Sequence, residues 1–265
     1  MNTIKIHVLQ CGSIDLDKAF PFSEKTIHPA PWTGFFRSKK HQMKILVSAY
    51  LIEHPKGLIL IDTGWHTEIR TNAKKYLGWM HNLMSTAHLP QGQAIHEQLA
   101  NLGYQPADID YLFLSHLHTD HVSGLKLVKE AKRILTSDIE LRKAKKYPSI
   151  YKSFMWEGVD LKTFRFENSE YDLFGDNSVV FINTPGHTEG MASTRIQNNG
   201  KFVLLCADTG YAAKSWKEMI LPGLITDKKK AQTSLAWVKE MSEKVNCLEV
   251  LANHDPDVKP HTIEL

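Results

Sequence analysis

Residues 115 to 124 read SHLHTDHVSG, with three histidines and an aspartate inside the six positions from His116 to His121. Imidazole and carboxylate groups so spaced are the donors a borderline divalent cation such as zinc takes as ligands. His116 and His118 are two apart, so in an extended segment they point to the same side. Asp120 and His121 follow at the turn into a helix expected to begin near Ser123. One loop therefore offers donors to two neighbouring metal ions. A lone histidine is more often an ordinary surface or core residue. Nine of the fourteen, at 7, 28, 41, 54, 66, 81, 88, 96 and 261, are read that way.

Three further polar residues end apolar runs in the same fashion. His187 follows VVFINTPG, Asp208 follows FVLLCA, and His254 follows LEVLAN. Strand ends are where α/β proteins place their ligands. Taken singly, each residue is as readily a turn or capping residue. Taken with the first loop, they complete a set of five histidines and two aspartates.

The surrounding pattern supplies elements to carry these residues. Residues 3–9 read as a first strand. KILVSAYLIEH and GLILIDTG are β-rich runs separated by PKG, which predicts a hairpin. GQAIHEQLANLG has apolar residues at helical spacing and stops at Gly103, a C′ position. DYLFLSH is a buried strand leading into the metal loop. Ser137 and Glu140 have capping-box spacing for a helix ending before Pro148. NSVVFINTPGH, MASTRIQ and KFVLLCADTG read as three successive strands. A helix with Ala231, Leu235, Val238, Met241 and Val245 on one face follows, and then a short strand, LEVLAN. Strands in groups with helices between them imply two packed sheets covered by helices.

The chain has 265 residues, 42% of them hydrophobic, enough to bury a core as one domain spanning 1–265. The formal net charge of +3 is too small an excess to argue for nucleic acid. RKAKKYP and DKKKAQ are short basic clusters read as solvated helix faces. The cysteines, Cys11, Cys206 and Cys247, are odd in number and lack CxxC spacing, which suits a reducing compartment. The first residues lack the apolar core of a signal peptide, and no apolar stretch reaches the ~18 residues of a membrane span. A soluble, cytoplasmic protein is the expectation.

HLHTDH, TPGHTEG, ADTGY and ANHD, in this order and at these separations, resemble the metallo-β-lactamase superfamily, as does IDTG at 61–64. The resemblance implies an α/β fold, an αβ/βα four-layer sandwich of two mixed sheets face to face with helices outside. It also implies two divalent metal ions, zinc foremost, with manganese, iron and cobalt as alternatives. His116, His118 and His187 would hold the first ion. Asp120, His121 and His254 would hold the second, and Asp208 would bridge both. Asp62 would sit behind them and orient a ligand.

Such a pair of cations supports hydrolysis by a bridging hydroxide, and no other nucleophile motif competes. The seven ligand positions are shared by hydrolases of lactones, thioesters and phosphodiesters. Asp208 in the bridging place and the absence of a signal peptide argue against a true β-lactamase. Only eleven residues follow His254, which leaves no room for the C-terminal helical domain of glyoxalase II. The oxygen-reducing relatives add a flavin domain and carry a carboxylate where His118 stands. Tyr211, three residues after Asp208, is similar to the arrangement in N-acyl-homoserine lactone lactonases. The expected activity is therefore opening of a lactone ring. Tyr211 would donate to the developing oxyanion, and Asp120 would pass a proton to the leaving alkoxide. The alternatives are another ester, thioester or phosphodiester, or a non-catalytic metal-binding module.

Two departures stand out. Thr119 occupies a place where lactonases often have an aromatic residue lining the acyl site. HVSG replaces the commoner HxGG, a change expected to touch only the helix start. Trp32, Phe35 and Phe36 in PAPWTGFFR, and Trp79, Met80 and Met84 in YLGWMHNLMSTAHLP, follow neither strand nor helix period. They are candidates for an acyl-pocket wall, a homodimer face or ordinary packing. Trp156 in MWEG is another candidate wall. The expected partner is a small ester or lactone.

Overall fold

The computed structural model describes residues 3–265. In chain order the strands are β1 (Lys5–Asp17), β2 (Gln42–His54), β3 (Gly57–Ile61), β4 (Ser85–His88), β5 (Tyr111–Phe113), β6 (Ile134–Ser137), β7 (Leu161–Phe164), β8 (Glu170–Asp172), β9 (Val179–Asn183), β10 (Ala192–Asn198), β11 (Lys201–Leu205), β12 (Cys247–Leu251) and β13 (Thr262–Glu264). The helices are α1 (Ile69–Leu77), α2 (Trp79–Met84), α3 (Ile95–Asn101), α4 (Thr119–Val122), α5 (Asp138–Lys146), α6 (Ala213–Glu218) and α7 (Lys228–Ser242).

Among the described residues the strands make two mixed sheets. The first runs β13-β1-β2-β3-β5-β6-β7, with β4 also pairing β1; the second runs β12-β11-β10-β9-β8. The hairpin is present, with Tyr50 opposite Ile61 across β2 and β3. From β3 the first sheet turns parallel through β5, β6 and β7, and β11 pairs parallel with β12.

Alternation along the strands separates the layers. On β3, Ile59 and Ile61 face the second sheet, while Leu58 and Leu60 face the helices. On β11, Val203 and Leu205 point inward, while Phe202 and Leu204 meet Leu235, Val238 and Met241 of α7. Between the sheets, Phe113 and Phe181 stack with ring centroids 3.7 Å apart. Three apolar interfaces, helix on sheet, sheet on sheet and sheet on helix, give the four-layer αβ/βα sandwich. Each large apolar side chain fully buried in them contributes about 1.5–3 kcal/mol.

Several boundaries differ from expectation. β1 runs on to Asp17, because an irregularity between Gln10 and Ser13 lets the strand resume pairing with β2 and add β4. Val245 is fully exposed beyond the end of α7, so the apolar face of that helix stops at Met241. α3 closes as read: Gly103 takes φ 86°, its N–H reaches the Ala100 carbonyl, and the Tyr104 N–H reaches that of Leu99. No helix among the described residues is long and apolar enough to cross a membrane.

Candidate metal centre

The residues picked out by spacing lie beyond the C-terminal ends of β3, β5, β9, β11 and β12. β3 ends where Asp62 adopts φ 60°, which turns its fully buried carboxylate inward. That carboxylate accepts from Ser115 N–H and Oγ, each at 2.8 Å, from Asn253 Nδ2 at 3.0 Å, and from His121 Nδ1 at 2.8 Å. Three strand ends are tied by one side chain. Gly64 follows at φ 61°, where a Cβ would lie 2.1 Å from that of Cys11. Only glycine lets β1 come so near.

The metal loop turns helical at Thr119, earlier than Ser123, because the N–H groups of His121 and Val122 already reach the His118 carbonyl. Asp120 and His121 consequently sit in the first turn of α4. Thr63 clamps that turn, donating from N–H and Oγ1 to the His121 carbonyl at 2.9 and 2.7 Å. Ser123 does more than start a helix. Its Oγ accepts the His66 N–H at 3.0 Å and joins the metal loop to the segment after β3.

The seven side chains converge. His116, His118 and His187 bring ligand atoms within 4.8 Å of one another, as do Asp120, His121 and His254. His118 Nδ1 lies 2.8 Å from His187 Nε2. Asp208 divides its carboxylate between the groups. Oδ2 faces His187 Nε2 at 3.4 Å and His116 Nε2 at 3.9 Å, while Oδ1 is 3.2 Å from both His121 Nε2 and His254 Nε2. Asp120 Oδ2 completes the second group, 3.3 Å from His254 Nε2. Hydrogen bonds on the far side of two rings aim them: His121 Nδ1 to Asp62, and His254 Nδ1 to the Leu46 carbonyl at 2.7 Å.

His116 Nε2, His121 Nε2, His254 Nε2 and Asp208 Oδ1 are buried, close together and without a hydrogen-bond partner. Each buried polar atom left so costs about 1–3 kcal/mol. A converging nitrogen and oxygen set of this kind fits divalent cations.

Charge is partitioned across the site. Burial holds His116 and His187 below the ordinary imidazole range and brings His118 to about 3, so these three stay neutral with free lone pairs. For His121 and His254 burial is again the largest single effect, but the nearby carboxylates together, Asp208 foremost with Asp120 and, for His121, Asp62, outweigh it and raise both. Burial would lift Asp208; the fields of His254 and His121 override it and hold the carboxyl well below its usual value.

Tyr211 lies inside this cluster. Its ring stacks on His254 at 4.8 Å and stands edge-on to His187 at 6.1 Å. Burial and the nearby carboxylates Asp208 and Asp120 push the phenol well above its ordinary range, keeping it a neutral donor.

The candidate wall residues scatter. Thr119 and Trp156 are buried, Trp156 in the same core cluster as Tyr151 and Met155. Trp32 and Met84 are half-buried. Phe35, Phe36, Trp79 and Met80 are exposed, Trp79 by 72%. The apolar ring nearest Tyr211 among the described ring contacts is Phe20, edge-on at 6.1 Å. Sequence reasoning passes over Phe20, and also over Ser115 and Asn253, whose only signal is adjacency to a ligand. Glu140 is read as half of a capping box, and only the other half forms. Ser137 Oγ accepts the Glu140 N–H, but the Glu140 carboxylate turns inward to buried donors instead of back to the cap.

Comparison with known proteins agrees with this geometry. The family profile described as the metallo-beta-lactamase superfamily matches residues 44–241. The N-acyl homoserine lactonase AttM of Agrobacterium fabrum is 29% identical over 242 residues, covering 85% of this chain and 91% of its own. A solved N-acyl homoserine lactone hydrolase with the product N-hexanoyl-L-homoserine at its catalytic metal centre superposes with a TM-score of 0.79 at 24% identity, covering 97% of this chain and 95% of that one. AidC, a dizinc quorum-quenching lactonase in complex with a product, gives 0.69 at 18% identity, with 97% and 89% covered. With its profile match covering residues 44–241, which hold every candidate ligand except His254, the chain belongs to the metallo-beta-lactamase superfamily.

Proposed function

We propose that this chain is a dinuclear metal-dependent hydrolase that opens lactone rings, with N-acyl-homoserine lactones as its substrate class. The observation that carries the reading is the placement of Tyr211 between the two histidine groups, its ring stacked on His254 and edge-on to His187. The relatives named as lactonases support the substrate class.

His116, His118, His187 and Asp208 would hold one cation, and Asp120, His121, His254 and Asp208 the other. Two divalent cations there, zinc foremost, would supply a water of lowered pKa and polarise the substrate carbonyl. The chain's own residues do the rest. Tyr211 donates to the carbonyl oxygen as that oxygen gains charge, a contact that strengthens toward the transition state. The Asp120 side chain is 16% exposed, more than that of Asp208, His121 or His254. Asp120 would take the proton of the attacking water and pass it to the ring oxygen as the C–O bond breaks. Phe20 stands edge-on to the Tyr211 ring at 6.1 Å.

The test is a substrate panel assayed with and without chelator: homoserine lactones of increasing acyl length, bis-p-nitrophenyl phosphate and an acyl thioester. Chelator-sensitive opening of the lactones above the other two supports the proposal. Preference for the phosphodiester or thioester replaces the substrate class, and no turnover in any arm rejects the enzyme.

A further inference from the structure

Glu140 is an anomaly. Its side chain is fully buried, and it has no salt-bridge partner among the described residues. A carboxylate so placed is expensive unless donors surround it. Three do. Leu117 N–H donates to Oε1 at 3.1 Å, while Thr188 Oγ1 and Gly190 N–H donate to Oε2 at 2.7 and 3.2 Å. Burial and the nearby Glu140 charge push the Tyr151 phenol well above its ordinary range.

The identity of these donors is the point. Leu117 lies between His116 and His118, and Thr188 directly follows His187. The Tyr151 ring stacks on His118 at 5.3 Å. Gly190 packs so tightly on the first turn of α5 that a Cβ there would lie 2.2 Å from the Glu140 nitrogen. One carboxylate thus spans the two chain segments that supply the first histidine group, and none of its three donors belongs to Asp120, His121 or His254. Asp62 differs in taking donors beside both groups: Ser115 next to His116, His121 itself, and Asn253 next to His254.

We infer that Glu140 is a positioning residue that sets the spacing of His116 and His118 against His187, and so governs cation affinity at that group and not at the other. The inference rests on the two-cation reading above. Glu140→Gln keeps the shape but turns one oxygen into a donor facing other donors. The effect should therefore be geometric and local.

The experiment is cobalt(II) titration with chelator competition on the full chain, in two backgrounds. His121→Ala leaves only the first group whole, and His187→Ala leaves only the second. Adding Glu140→Gln should weaken cobalt binding about 10-fold or more in the first background, and less than about twofold in the second, with the metal-free melting temperature recorded for each. Equal weakening in both backgrounds, or none in the first, overturns the inference. Should Glu140→Gln fail to fold, Thr188→Val removes a single donor and must show the same selectivity at smaller amplitude; its absence likewise overturns it. No cobalt uptake by the unaltered chain overturns this inference and the two-cation reading together. Selective weakening in a protein that opens no lactone supports the inference and overturns only the proposed substrate.

Discussion

Nδ1 of His121 lies 2.8 Å from Oδ2 of Asp62, while Nε2 of the same ring lies 3.2 Å from Oδ1 of Asp208. The imidazole is held from behind by one buried carboxylate and presented by its other nitrogen to a second. The first bond fixes which nitrogen is free for a cation. Asp62→Asn tests this without disturbing the backbone, because asparagine tolerates the φ of 60° found here. Cation affinity should fall about 10- to 100-fold with an unchanged far-ultraviolet spectrum. Chelator competition measures it, and an unaltered affinity would exclude an orienting role for Asp62.

Tyr211 offers a cleaner separation of binding from chemistry. The ring packs on His254 and Phe20, and phenylalanine preserves both contacts. Only the hydroxyl is lost. Removing one oxyanion donor costs about 10²–10³ in kcat where that donor is fully engaged; sharing the work with cations should bring the loss for Tyr211→Phe to roughly 10- to 100-fold. Metal content, read by atomic emission, should not change. A kcat equal to that of the parent removes the hydroxyl from the mechanism.

Cation removal should loosen the fold as well as the activity. The two groups join four strand ends through atoms buried without hydrogen-bond partners, His116 Nε2 and His254 Nε2 among them. A ligand at about 1,000 times its Kd stabilises by about 4 kcal/mol. For a chain of this size that corresponds to a melting shift on the order of 10 °C. Differential scanning fluorimetry with and without chelator reads it directly, and the shift should grow with added zinc. Superposable melting curves would mean that the cluster holds no cation.

How much of this is visible in the residues alone depends on range. His116 to His121 announce themselves by crowding, whereas His187, Asp208 and His254 only end apolar runs and join the set through that first loop and the family resemblance. The sheet order follows less directly: residues 10–13 look like an end to β1, yet the strand continues because β4 waits on its other side. Glu140 is the instructive case. Its spacing from Ser137 fits a local cap, while its carboxylate answers donors at Leu117, 23 positions away, and Thr188, 48 away. No periodicity encodes such partners; they exist only once the strands have brought the loops together. The exposed Trp79 and Met80 mislead in the opposite sense, since apolar character does not say which surface a side chain meets.

The flank of the centre is pinned by charge, which makes its stability pH-dependent in a definite direction. Arg70 of α1 donates to both oxygens of Glu97 on α3, at 2.8 and 2.6 Å, and to the carbonyls of Leu89 and Pro90. The Arg70 guanidinium lowers the Glu97 carboxyl from its ordinary 4.5 to about 2. A carboxyl depressed on folding contributes stability that is present above its unfolded pKa and lost as pH falls through the folded one. Glu97→Gln should therefore be less stable than the parent at pH 7, with the gap closing between pH 4.5 and 2. Because a quarter of the Glu97 side chain is exposed, solvent screening keeps the full difference to about 1 kcal/mol or less. Urea unfolding midpoints of the two proteins at pH 7, 4 and 2.5 settle it. A gap that holds constant, or widens on acidification, would show that the ion pair is not what ties α1 to α3.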